Sequence, residues 1–584
     1  MRKTLSIILS VMMILSVCSF AIPASAAPEG TAINTADEFL AMVSTPADSA
    51  EVTAKYYLNA DITLSGTYIE PFWGILDGNG HTVTVSAPMF ADFSGEVRNL
   101  KIKGEILFQD ANAAAFTVLS AKGLNVINCQ NDANVTITGN AKWAAGFVAD
   151  CENNETPCVF VNSVNNGDIY IDSTADQKMR AGGIAGIIDI VSLYNCVNNG
   201  DIYIKGTTDI AAGFVARVGL NASMNVAEAF NCVNNGNVKV EDPYLGTDGT
   251  PAGGTGGSDC GGIFGYVGCK GNAGWYKIWG CSNYGTIDAP YRSGGMVGYV
   301  YASGSNAFVD IQFCINAGDL IYGRLPGIKE GTVPYDWSSP FVAYTNSPFT
   351  TIKYCIDTGT ITLRDNAITA NPGRSFCGLS SADGLQYDVK GVYVLNKEQY
   401  QFFTYASSDD YTANRHEIAV AEGIYVTTLE DIKSGKVAYL INEAAAKDDY
   451  GFASFDSEDY AWAGFKTGDA YNFTQKIGTD NYPTAGVGSD NWVVLNGDKY
   501  ENGAKAAATT AAPETQAPET QAPETQAPET QAPETQAPET QAPVATDAPT
   551  TEAPKSEGGC GGFIAGGVAI IAIIGTALII KKED

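Results

Sequence analysis

Between residues 125 and 363 the chain repeats one phrase seven times, and that phrase dictates a coil. The clearest copies are Asn162-Ser163-Val164-Asn165-Asn166-Gly167-Asp168-Ile169, Asn195-Cys196-Val197-Asn198-Asn199-Gly200-Asp201-Ile202 and Asn231-Cys232-Val233-Asn234-Asn235-Gly236-Asn237-Val238. Looser copies centre on Cys129, Cys281, Cys314 and Cys355. Steps between the Cys or Ser anchors are 34, 33, 36, 49, 33 and 41 residues, so the unit is about 33 and the longer steps hold insertions. Such a period belongs to stacked coils, in which each repeat covers the apolar face of the next.

One unit shows what the coil is made of. Three residues before the anchor stand Val126, Phe160, Leu193, Ala229, Ile278, Ile311 and Ile352, and positions +6 and +8 are nearly all apolar. Position −4 is mostly polar, which gives the period of two that marks a strand. Position +2 is Asn in six copies and Asp357 in the seventh, and +4 is Gly in all but the first. Both are expected to supply the left-handed backbone of a tight corner. A third strand carries Gly-Φ-Φ-Gly or a relative of it, as in Gly183-Ile184-Ala185-Gly186 and Gly295-Met296-Val297-Gly298. Three short strands per coil of about 33 residues predict an all-β fold, a right-handed parallel β-helix with coils about 4.8 Å apart. The Gly and β-branched content excludes a helical solenoid.

The pairing of Gly-Φ-Φ-Gly with an Asn-Cys-x-Asn-x-Gly-x-Val corner resembles the GLUG-motif repeats of bacterial surface proteins, over roughly residues 55–365. The resemblance implies exposure on a cell surface and no particular reaction.

The flanks supply an address. Arg2 and Lys3, an apolar stretch and Ala24-Ser25-Ala26 form a secretory leader over residues 1–26, cleaved after Ala26. The solenoid then runs over 27–384, opened by a short amphipathic helix at 34–43. Asp77-Gly78-Asn79-Gly80 lacks the spaced carboxylates of a calcium loop and is expected to be a corner. Residues 385–502 are expected to form a small α/β cap over the last coil, with a helix running from Thr428 to Ala446. Six copies of Ala-Pro-Glu-Thr-Gln make 503–557 a disordered, extended stalk. In the tail, 558–584, the apolar run Phe563 to Ile580 reads as a transmembrane helix, with Lys581 and Lys582 on the inside. Gly-Gly-Cys560-Gly-Gly resembles C-terminal sorting tails that are clipped, so Cys560 marks a possible processing point. The expected place is the surface of a Gram-positive-type bacterium, the ectodomain outside and anchored in the cytoplasmic membrane.

Chemistry is sparse. A net charge of −31 at pH 7 rules out electrostatic binding to nucleic acid or an anionic membrane surface. The anchor cysteines are expected to turn inward at a bend and form a reduced, packed ladder. Cys151/Cys158 and Cys260/Cys269 are better disulfide candidates. No Cys-x-x-Cys or Cys/His cluster suggests a metal, and no cofactor motif occurs. With only His81 and His416, a nucleophile–His pair is not expected, and Asp168 and Asp201 read as turn residues after Gly. One feature points to a ligand. Tyr194, Phe230 and Trp279 fill position −2 on successive coils, Trp275 and Tyr276 lie close by, and a later insertion carries Tyr335 and Trp337. Exposed, such rings would form a sugar platform; otherwise they are a ladder that stabilises the stack or sits under a loop. The expectation is a non-catalytic adhesin or glycan-binding display protein whose partner is a glycan or another ligand on a host or bacterial surface. The alternatives are a polysaccharide-active enzyme and a structural surface-layer component.

Overall fold

The computed structural model describes residues 28–503 apart from a set of loop segments, the longest being 242–257, 324–335 and 449–464. The described residues form one compact unit. The leader with Ala26, the stalk, Cys560 and the apolar run 563–580 lie outside the described residues. No helix among the described residues is long and apolar enough to cross a membrane.

The fold is a solenoid of parallel strands. In the coil that follows Ser163 the strands are Val164–Asn165, Ile169–Ser173, Lys178–Gly182, Ala185–Ile188 and Val191–Tyr194. The first two belong to one sheet, and the other three open a second, third and fourth. Five strands therefore replace the expected three. Only the first two residues of Gly-Φ-Φ-Gly form the bend between the second and third sheets, and its last two open the third-sheet strand, as at Ala185 and Val297. A Cβ on Gly182 would meet the Ala185 carbonyl at 2.1 Å, and one on Gly294 the Val297 carbonyl at 1.9 Å, so these bends are tight, while Ala145, Ala212 and Ser339 hold the same register position in neighbouring coils. Pairing is in register from coil to coil: Ile169, Ile202, Val238, Ile287 and Leu320 lie one above another in the core.

The corner works differently from the expectation. Left-handed backbone occurs at −1, at Asn128, Asn162, Asn195, Asn231, Gly280, Phe313 and Tyr354, with φ of 49 to 66°. This bend turns the following Cys inward. Cys129, Cys196, Cys232, Cys281, Cys314 and Cys355 are buried as free thiols, so the packed, reduced ladder is present. Burial pushes the Cys129 thiol up to about 12 and the next four well above their ordinary value. Asn at +2 has a second task. Asn131 Nδ2 donates to Asn165 Oδ1 at 2.7 Å, Asn165 to Asn198 at 2.8 Å, and Asn198 to Asn234 at 2.9 Å. The same amides also donate to the carbonyl at +4, as Asn198 does to Gly200 at 2.9 Å. A buried column of amides thereby satisfies itself along the coil axis.

Glycine at +4 keeps room for that column: a Cβ on Gly200 would lie 2.0 Å from the Gly167 carbonyl and 3.0 Å from Asn165 Nδ2. The first Gly of Gly-Φ-Φ-Gly faces the column from the opposite wall, since a Cβ on Gly183 would come 2.2 Å from Asn198 Oδ1. The two motifs share one period because they pack on each other.

At the start, the helix α1 (Ala36–Leu40) is shorter than the expected 34–43, capped by Thr35 and by Glu38 reaching back to the Asn34 N–H. Asn79 and Gly80 are both left-handed, so Asp77-Gly78-Asn79-Gly80 is the expected corner. The ladders continue past 384, through Gln386–Lys390, Val392–Val394 and Ile424–Val426. The amide column ends on Asp357, which has no amide to pass on: Gln399 Nε2 donates back to Asp357 Oδ2 and to the Gly359 carbonyl, the bond that an asparagine at 357 would make itself. The Tyr400 hydroxyl closes the same carboxylate.

Beyond Val426 come α2 (Leu429–Lys433), α3 (Lys436–Ala445) and the hairpins Tyr471–Thr474/Thr484–Val487 and Trp492–Asn496/Lys499–Gly503. Thr428 caps α2, and left-handed Gly435 splits what the sequence suggests as one helix. This module lies along the flank, packing against −2 and −1 side chains of six successive coils, from Val161 to Tyr354.

Candidate functional site

The predicted aromatic stripe is present but covered. Tyr194 and Phe230 are 5.1 Å apart and Phe230 and Trp279 5.3 Å, centroid to centroid. All three are buried, together with Val437, Ile441, Phe465, Tyr471 and Phe473 of the C-terminal module. Phe465 contacts both Tyr194 and Phe230 at 6.1 Å, and Tyr471 meets Trp279 edge-on at 6.3 Å. The expectation of exposure is therefore corrected: apolar rings on consecutive coils make a seam, and the chain's own later segment removes it from water. Asp448 fastens the edge, paired with Lys390 at 3.0 Å and Lys353 at 3.6 Å, and accepts from the Tyr354 hydroxyl.

The remaining predicted residues scatter. Tyr276 is in the solenoid core and Tyr335 lies outside the described residues. Trp275 is 42% exposed, yet it stacks on Phe308 at 4.4 Å and 13°, and Phe308 on Phe349 at 4.8 Å and 7°. Rings stacked along the coil axis spend their faces on one another, which stabilises the stack and leaves mainly edges to solvent. Tyr170 and Tyr203 do the same at 5.0 Å and 5°, beside a pocket of about 300 Å³ lined by Glu105, Asn134, Asp168 and Asp201. Those aspartates are engaged: Asp168 Oδ1 accepts from the Asp201 N–H and Asp201 Oδ1 from the Asn237 N–H, both at 2.8 Å.

Trp337 leads to a different place. It is buried on the outer side of the second sheet, 5.3 Å from Tyr344 on the third. Because the Gly-Φ-Φ-Gly bend is concave on its outer side, outward side chains of these two sheets meet in a trough parallel to the coil axis. Arg292 of the second sheet lies over the rings of Tyr299 and Tyr344 of the third, at 4.1 and 5.0 Å. Its Nη1 donates to Asp259 Oδ1 at 2.7 Å. Tyr266 stands at 85° to Tyr299 and Tyr299 at 57° to Tyr344, while Tyr266 stacks on Tyr301 at 6.4 Å and 25° and Arg292 covers one face each of Tyr299 and Tyr344. Further along, Arg217 Nη1 lies 3.8 Å from Glu152 Oε1, and Arg180 lies over Trp143 at 5.9 Å.

The electrostatics follow from this crowding. Burial, with Arg217 as like-charged neighbour, pulls the Arg180 guanidinium down to about 10. Burial, joined by the charges of Glu152 and Asp189, pushes the Asp150 carboxyl up. Burial also raises the Tyr266 and Tyr299 hydroxyls, which stay protonated as donors and acceptors. In-register pairing runs from Asp150 through Ile187, Arg217, Tyr266 and Tyr299 to Tyr344, five coil steps, so this column is roughly 24 Å long at about 4.8 Å per coil, with Ile187 fully buried within it.

Both walls of the trough are written in the sequence at fixed offsets that the stripe at −2 overshadowed. One wall stands three residues before the first Gly of Gly-Φ-Φ-Gly and holds Trp143, Arg180, Asp259 and Arg292. The other stands four residues after it and holds Asp150, Arg217, Tyr266 and Tyr299. Among the described cysteines outside the ladder, Cys151 and Cys158 are buried with their side chains hydrogen-bonded to each other, and Cys260 is buried. The side chain of Cys269 is outside the description. The fold and trough define a parallel β-solenoid with an axial cleft. Comparison with family models, curated proteins and solved structures finds no match to this chain.

Proposed function

We propose that this is a non-catalytic surface display protein of the GLUG-repeat kind that binds an extended glycan in the trough between its second and third sheets. In this reading the leader exports it, the apolar run 563–580 anchors it in the cytoplasmic membrane, and the stalk 503–557 holds the solenoid away from the surface. Its partners are then glycans of a host or bacterial surface. The observation that carries the reading is the Arg292 guanidinium laid over Tyr299 and Tyr344 in an axial trough: tilted rings and fixed hydrogen-bonding groups suit a pyranose chain. The test is binding of residues 27–505 to a broad array of plant, host and bacterial glycans, followed by Tyr299→Ala on each hit. Binding that survives Tyr299→Ala removes the trough as the site.

One observation favours a second reading, a polysaccharide-active enzyme. The Asp150 carboxyl is raised beside Glu152 and Asp189 at one end of the same trough, the pairing that general acid–base cleavage needs. Incubating each bound glycan and looking for shortened products separates the two, and Asp150→Asn would abolish any cleavage.

A further inference from the structure

We propose that the trough selects a neutral glycan chain and rejects an acidic one. This rests on the reading that the trough binds glycan, and it names the ligand class. The guanidiniums there are already matched by carboxylates of the protein. Arg292 Nη1 bonds Asp259 Oδ1 at 2.7 Å and Arg217 Nη1 faces Glu152 Oε1 at 3.8 Å. Arg180 is held by the charges of Glu152 and Asp150. Counting Asp189, which acts on Asp150 from the neighbouring coil, the trough holds four carboxylates against three guanidiniums. A uronate carboxylate entering here would have to face half-buried like charges or pull an arginine from its partner, and either costs more than a rim contact returns. The whole chain, at −31, adds a repulsive field along the approach.

A neutral sugar meets none of this. Each hydroxyl donates and accepts, and the trough offers acceptors and donors in alternation: carboxylates, guanidiniums and protonated tyrosine hydroxyls. The parts of Tyr266, Tyr299 and Tyr344 that Tyr301 and Arg292 leave uncovered supply apolar contact between them. A trough along a column of five coil steps also suits a chain rather than a single residue, so affinity should rise with the number of sugars.

The experiment titrates residues 27–505 with two sets of hexasaccharides by calorimetry. The neutral set is gluco-, manno-, xylo- and galacto-oligomers, and the acidic set is galacturonate, glucuronate and mannuronate oligomers. The expected result is that at least one neutral oligomer binds, and that the best acidic one binds at least about tenfold more weakly. Glu152→Gln, which keeps the shape and removes one carboxylate, should narrow that gap by about threefold or more. Acidic oligomers binding as well as neutral ones, or a gap unmoved by Glu152→Gln, would overturn the inference while leaving glycan binding in place. Silence across both sets would instead overturn the reading beneath it.

Discussion

At the scale of single residues, the corner explains why so few substitutions fit. Asn at +2 is at once donor to the next asparagine, donor to the +4 carbonyl and acceptor from the asparagine before, so no other side chain replaces it. Asn198→Ala leaves Asn165 Nδ2, the Gly200 carbonyl and Asn234 Oδ1 without these partners and should cost on the order of 2–4 kcal/mol. Gly200→Ala, with its Cβ 2.0 Å from a carbonyl, should cost about 3 kcal/mol or more, whereas Gly66→Ala, with nothing within 4 Å, should stay within about 0.5 kcal/mol. Chemical denaturation of the three variants checks the order.

Asp357 is the informative exception. Burial holds its carboxyl at about 6 against an ordinary 3.8, despite hydrogen bonds from Tyr400 and Asn316. The folded chain thus binds this proton more tightly than the unfolded one. That stabilisation is fully present below about pH 4 and is lost as pH rises through about 6. Asp357→Asn removes the dependence, with Gln399 and Tyr400 turning to accept from an amide where they now donate. Relative to the native chain it should be more stable at pH 7.5 than at pH 4 by on the order of 1–3 kcal/mol. An equal effect at both pH values would contradict the assignment.

At the scale of elements, the account turns on which outward columns are open. The period, the strand columns and the Cys ladder were legible in the sequence because Asn, Gly and Cys recur at fixed offsets with one exception each, Asp357, Ala133 and Ser163. Strand number was not, since Gly-Φ-Φ-Gly holds both the bend and the start of the next strand, a division that its residue types do not mark. The fate of the −2 stripe was not legible either, because its cover arrives from residues more than 150 positions later. A signal existed at −1, where the asparagines that begin the column give way to Gly280, Phe313 and Tyr354, an apolar run in left-handed backbone with no solvent-facing reason. Truncation after Val426 should uncover this seam, so the shortened chain should bind an apolar dye and self-associate. A monomeric, dye-silent truncation would show that the module does not protect the seam.

At the scale of the whole molecule, the solenoid divides its labour between flanks. One flank is closed by the chain's own C-terminal module, and the opposite bend is left as a trough along the axis. A regular scaffold of identical rungs thereby becomes asymmetric through column identity alone, while the fold beneath stays constant. The most direct test of this division is a paired measurement on residues 27–505, thermal unfolding together with glycan affinity, for Trp279→Ala and Tyr299→Ala. The account predicts that Trp279→Ala lowers the melting temperature by several degrees, a loss of about 3 kcal/mol or more, and leaves affinity unchanged. It predicts that Tyr299→Ala loses at least about tenfold in affinity with a smaller effect on melting. Lost binding in Trp279→Ala at unchanged stability, with Tyr299→Ala binding normally, would contradict it and return the ligand to the seam.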